Sequence, residues 1–101
     1  MSEPRGYFVV VREPGPRWDH ARGMREQDGW DEHAAFMDGV AEDGFIVLGG
    51  PLAEGSRAMH VVDAQGEREV EERFAEDPWA GDMLRIASIE RWTILLESSP
   101  R

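Results

Sequence analysis

The sequence predicts a single α+β domain whose four strands and two helices follow the order β-α-β-β-α-β. Three observations carry that expectation. The chain has 101 residues, 41% of them hydrophobic, which suffices for one core and is too apolar for a disordered segment. Tyr7–Val11 is a β-branched and aromatic run that is apolar on both alternating faces, the pattern of an inner strand. Two later stretches switch to helical spacing: Trp30, Ala34, Met37 and Ala41 in the first, Val70 and Phe74 in the second.

The first strand stops at Pro14-Gly15-Pro16. Pro14 to about Gln27 is polar and rich in Arg, Gly and Pro, and it is longer than an ordinary connection. It reads either as a lid or binding loop or as a mobile surface excursion. A helix is expected from about Asp28–Trp30, with Asp28 as N-cap, Asp31 and Glu32 in the first turn, and Gly44 as the stop. Phe45–Leu48 reads as the second strand, ended by Gly49-Gly50-Pro51, and a loop through Gly55 leads to a third strand over about Arg57–Asp63. Ala64-Gln65-Gly66 turns the chain into a short acidic helix from Glu67 to about Glu76. Asp77-Pro78 closes it, because a residue before proline is driven out of the helical region. The last strand is expected over Leu84–Leu96, where Leu84, Ile86, Trp92, Ile94 and Leu96 share one parity that Ser88 and Glu90 interrupt. Trp92 is read as core, residues 97–101 as a frayed tail, and about 6–96 as the body of the domain.

This order is the split arrangement of ferredoxin-like folds, an antiparallel sheet with helices on one face. The other face carries apolar residues that need cover. Two such sheets packed face to face form a dimeric α/β barrel, the expected assembly. A domain this small buries only about 60–65% of its unfolded surface, so a homodimer would add burial that a monomer lacks.

Composition narrows the function. Without cysteine, disulfides, thiolate nucleophiles and Cys-ligated zinc are excluded, which fits a cytoplasmic protein. The formal charge is −10 and the cationic residues, all arginine, are scattered. Nucleic acid and anionic membranes are therefore poor partners. No run approaches the roughly 18 apolar residues of a membrane span, and Met1-Ser2-Glu3-Pro4 lacks the features of a signal peptide. The three histidines show no i,i+4 pairing and no phosphate loop or dinucleotide fingerprint appears, so neither a metal nor a cofactor is expected.

His33 is the one histidine that a helical pattern fixes in place, and Asp77 is a carboxylate held at a backbone break. Free imidazole titrates at about 6.5, and a nearby carboxylate favours its charged form and fixes its tautomer. Such a pair can transfer protons without metal or cofactor. The same residues also suit a hydrogen-bonded structural histidine and a turn-forming aspartate. Gly50 and Pro51 would let backbone approach a ligand, or simply end a strand. Trp79 and Trp30 would wall a pocket for a planar molecule, or fill core. His20, beside Asp19, reads as a solvated loop residue and His60 as a satisfied sheet residue.

His33 in the first helix, Gly50-Pro51 at the second strand, and Asp77-Pro78 followed by Trp79 together resemble the YCII-related family of small α+β proteins. The likeness runs from about Tyr7 to Leu96 and extends to a subgroup with a longer Pro-Gly loop after the first strand and a tryptophan, here Trp92, in the last. The resemblance implies a ferredoxin-like dimeric barrel with a His–Asp active site, mapped onto His33 and Asp77, with Gly50 and Pro51 shaping the pocket wall. It also implies lyase-like elimination on small ring compounds. With the acid–base reading of His33 and Asp77, the expected function is lyase-like or isomerase-like proton transfer on a small cyclic or aromatic metabolite. A non-catalytic small-molecule binding or sensing module and a purely structural domain remain as alternatives.

Overall fold

A computed structural model describes residues 6–98. Residues 1–5 and 99–101, including Met1–Pro4 and most of the expected tail, lie outside the described residues. The elements are β1 (Tyr7–Pro14), a single 3-10 turn (Met24–Glu26), α1 (Trp30–Glu42), β2 (Ile46–Pro51), β3 (Ala58–Asp63), α2 (Glu67–Ala75) and β4 (Leu84–Trp92). The strands form one antiparallel sheet in the order β2-β3-β1-β4. β1 is thus flanked on both sides, as its two apolar faces predict. The result is an α+β fold compatible with a ferredoxin-like arrangement. Among the described residues no helix is long and apolar enough to cross a membrane.

Alternation along β1 sorts the sheet into two faces. Phe8, Val10 and Arg12 are buried, whereas Tyr7, Val9 and Val11 are half-buried. Phe8 and Val10 share one cluster with Val62 of β3, Val40 of α1, and Val70 and Phe74 of α2. Both helices therefore cover the same face of the sheet. The opposite face carries Val9 and Val61 in one cross-strand row with Leu48, and Val11 in the next with Met59. Leu48 and Met59 are 69% and 39% exposed.

Two bulges correct the expected strand patterns. In β4, Val11 pairs with Ser88 but Arg12 with Ile86, so Ala87 is an extra residue and the parity changes there. Leu84 and Ile86 face the helices before the bulge, and Ile89, opposite Val10, faces them after it. The break that Ser88 and Glu90 make in the alternation marks this change. Trp92 consequently stands opposite Tyr7 on the face away from the helices and is 44% exposed, not core. Pairing also ends there, since β1 starts at Tyr7; Leu95 and Leu96 lie beyond β4 and are exposed. In β2, Ile46 pairs with Val62 and Leu48 with Val61, leaving Val47 extra.

β2 does not stop at Leu48. Gly49, Gly50 and Pro51 pair with His60, Met59 and Ala58, and an edge strand tolerates a proline that cannot donate to a ladder. Asp28 is not the N-cap of α1. Gly29 takes that place with φ 77°, a left-handed conformation that glycine adopts without strain. Asp28 is engaged elsewhere: its carboxylate takes Arg22 at 3.0 Å and its carbonyl accepts the Trp79 indole N–H at 2.8 Å. Gly44, with φ 89°, ends the helix as expected.

The segment between β1 and α1 folds back onto the domain. Gly15 N–H donates to Met83 O and Arg17 N–H to Asp82 O, both at 2.8 Å. Gln27 is buried inside this loop; its amide donates to Asp19 O and Arg22 O and accepts from Asp19 N–H. The anchoring puts Trp18 into a second cluster with Trp79, Met83 and Leu84. The loop is a wall of the domain.

Candidate active site

His33 projects from the first turn of α1, and Asp77 follows the end of α2. The fold brings them together: Nδ1 of His33 lies 2.9 Å from both carboxylate oxygens of Asp77. Both side chains are buried, Asp77 completely. Asp77 Oδ1 also accepts the backbone N–H of Trp79 at 2.9 Å, an Asx turn that reverses the chain at Pro78. One carboxylate thus serves both readings, as turn former and as partner of His33. Trp79 stacks on the His33 ring, centroids 4.0 Å apart and planes within 8°, and Trp30 leans on both rings. The imidazole is held at its edge by Asp77 and on its face by Trp79.

Arg12 is the residue that sequence reasoning missed. Its side chain is 2% exposed and its Nη1 donates to Asp77 Oδ2 at 2.7 Å. Nε donates to His60 Nε2 at 3.3 Å, Nη2 meets Met37 Sδ at 3.3 Å, and the guanidinium covers the Phe74 ring at 4.6 Å. The signal was present in the sequence, because Arg12 continues the inward parity of Phe8 and Val10. An arginine at the end of such a series is buried and needs a carboxylate.

Charges in this cluster follow from its contacts. Burial pushes Asp77 towards the neutral acid, but hydrogen bonds from His33, Arg12 and the Trp79 N–H outweigh it and hold the carboxyl below its ordinary range. Burial also lowers the Arg12 pKa, against the opposing pull of Asp77, yet arginine stays protonated. With Asp77 ionised, Nδ1 of His33 carries a proton and Nε2 is the nitrogen free to exchange one. His60 is different. Burial, reinforced by the charges of Arg12 and His33, pushes it down to about 3, so its ring is neutral at physiological pH. Arginine can only donate, so His60 Nε2 must hold the lone pair and Nδ1 the proton. Among the described residues that Nδ1 has no hydrogen-bond partner. His60 is therefore not the satisfied sheet residue expected from sequence, and an unmatched buried donor costs about 1–3 kcal/mol.

Arg12, His33 and His60 border a cavity of about 260 Å³, just below the roughly 300–1,000 Å³ typical of ligand sites. His33, Gly50, Pro51, Trp79 and Trp30 all line it, together with His60. Asp77 does not; it stands behind His33. A wider, open groove shares Trp18, Met24, Trp30 and Pro51 with the cavity and adds Arg22 and Arg25, forming a vestibule beneath the loop after β1. His20 lines that vestibule, outside the cavity.

Comparison with family models, with curated proteins and with solved structures gives no significant match for this chain.

Proposed function

We propose that the protein is a cofactor-free acid–base catalyst, of lyase or isomerase type, acting on a small cyclic or aromatic metabolite. One observation carries this reading. Nδ1 of His33 is locked on a buried, ionised carboxylate while its ring lines a small, largely apolar cavity, so Nε2 is the nitrogen offered to a ligand. In this reading His33 is the catalytic residue, taking a proton from one substrate atom and returning it to another or to a leaving group. Asp77 is a positioning residue that fixes the tautomer and balances the imidazolium. Arg12 holds Asp77 ionised. Gly50, Pro51, Trp79 and Trp30 shape the walls and suit a planar molecule.

The same reading places the chain in the YCII-related family, with a ferredoxin-like fold paired into a dimeric α/β barrel in the cytoplasm. Half-buried Val9 and Val11 and exposed Leu48, Met59 and Trp92 on the uncovered sheet face support a homodimer. Light scattering at micromolar concentration should give the mass of two chains, and Leu48→Glu with Met59→Glu should return one. A wild-type protein of single-chain mass would remove the barrel.

The activity is tested by solvent deuterium incorporation, followed by proton NMR, into a panel of small cyclic ketones and unsaturated lactones. Exchange catalysed by the wild type should fall by about 10²–10⁴ in His33→Ala. Exchange unaffected by the substitution would refute catalysis by His33. Ligand-induced thermal stabilisation without exchange, retained in His33→Ala, would favour the binding-module reading instead.

A further inference from the structure

His33, Arg12 and Asp77 are all accounted for by the proposed acid–base chemistry. His60 is not. Its Nε2 is taken by Arg12, its Nδ1–H is unpartnered among the described residues, and its ring is 3% exposed on the wall of the same cavity. Gly49, its cross-strand partner, lies beside that donor: a Cβ built there would sit 2.7 Å from Nδ1. A side chain at this position would collide with Nδ1, which is itself buried, so glycine is what leaves room beside this nitrogen. The nitrogens of Arg12 already engage Asp77, His60 and Met37. Among the described residues, His60 Nδ1 is the buried side-chain donor in this wall without a partner.

We infer that the Nδ1–H of His60 receives a carbonyl-derived oxygen of the substrate beside Gly49, which makes the substrates small carbonyl compounds with an acidic adjacent C–H. This deepens the acid–base reading and rests on it. His33 Nε2 takes the proton from carbon, the C–H electrons form a C=C bond, and the carbonyl π electrons move onto oxygen. That oxygen, now an enolate, accepts from His60. As the C=O bond re-forms, the C=C electrons can break the bond to a β substituent, which leaves with that pair and takes the imidazolium proton. In a β,γ-unsaturated substrate they instead shift the double bond into conjugation as the γ carbon takes that proton. Both residues are restored. A neutral imidazole suits this position, because it donates a hydrogen bond without surrendering the proton.

Two isosteric probes test the assignment on the full chain: pentafluorophenolate, an aromatic oxyanion, and pentafluorotoluene, which has no oxygen. Binding of both is read by fluorine NMR, and His60 by proton–nitrogen NMR with labelled histidine. The phenolate should move the His60 Nδ1–H resonance downfield. In His60→Phe its affinity should drop by about tenfold or more relative to that of the toluene. Gly49→Ala, whose Cβ would fall 2.7 Å from Nδ1 and so push the His60 ring out of its place, should shift the ratio the same way. A loss shared equally by both probes, an unmoved His60 resonance, or no phenolate binding would overturn the assignment. His33→Gln should leave the ratio unchanged while abolishing exchange, so failure of the base and failure of the oxygen site are read separately.

Discussion

Replacing Asp77 by alanine should destabilise the fold by about 3–5 kcal/mol, because it strands the charge of Arg12 in the interior. Against a usual total of about 5–15 kcal/mol, that is a large fraction. The Arg12 and Asp77 side chains are 2% and 0% exposed, so water cannot take the place of the lost partner. Arg12→Ala should cost a similar amount, leaving the carboxylate, among the described residues, with the His33 ring and the Trp79 N–H. The double variant Arg12→Met with Asp77→Leu should be more stable than either single variant, since it removes both charges and refills the space. Urea denaturation of the four proteins checks this. Costs below about 1 kcal/mol, the level of exposed pairs such as Arg68–Glu72, would show that the pair does not bear on the core.

Acid should weaken the fold in two successive windows. His60 has a folded pKa of about 3, against about 6.5 in an unfolded chain. Below about pH 6.5 the unfolded chain gains a proton that the folded one refuses, so stability falls with pH until about pH 3. Each pH unit in that window costs about 1.4 kcal/mol, or about 2–3 kcal/mol between roughly pH 6.5 and 4.5. Asp77 acts next. Its carboxyl is held below the ordinary value, so its contribution is complete above about 3.9 and disappears as pH falls through the folded pKa. His60→Gln keeps an acceptor for Arg12 without a titrating ring. Its stability should lack the first window, and the difference curve against wild type isolates His60 from the other acidic residues. Parallel curves would contradict a neutral, buried His60.

Local signals in the sequence were enough for the elements themselves. The period of two along Tyr7–Val11, the helical spacing from Trp30 to Ala41 and the punctuation by Gly44 and Asp77-Pro78 are effects of neighbouring residues, set by side-chain direction and allowed backbone angles. They gave the α+β class and set apart His33 and Asp77; the resemblance to a known family paired these two and added Gly50 and Pro51, and the aromatic character of Trp79 and Trp30 suggested further walls. Five of the six line one cavity while Asp77 stands directly behind it. What depends on cross-strand register was not legible. The Ala87 bulge reverses the parity of β4 and sends Trp92 outward, and the run of β2 to Pro51 depends on partners in β3. The N-cap of α1 passed from Asp28 to Gly29 because Arg22 and the Trp79 indole claim Asp28 from six and 51 residues away.

The same division holds for the site. Sequence alone determined that a histidine would stand at the start of a helix and a carboxylate at a proline break, since both positions are fixed within a turn of chain. Only the tertiary structure decided that the two meet at 2.9 Å, that Arg12 crosses 65 residues to neutralise Asp77, and that His60 is neutral with a donor unpartnered among the described residues. Charge, tautomer and hydrogen-bond satisfaction depend on which groups share a desolvated volume. Folding, and not spacing along the chain, brings those groups together.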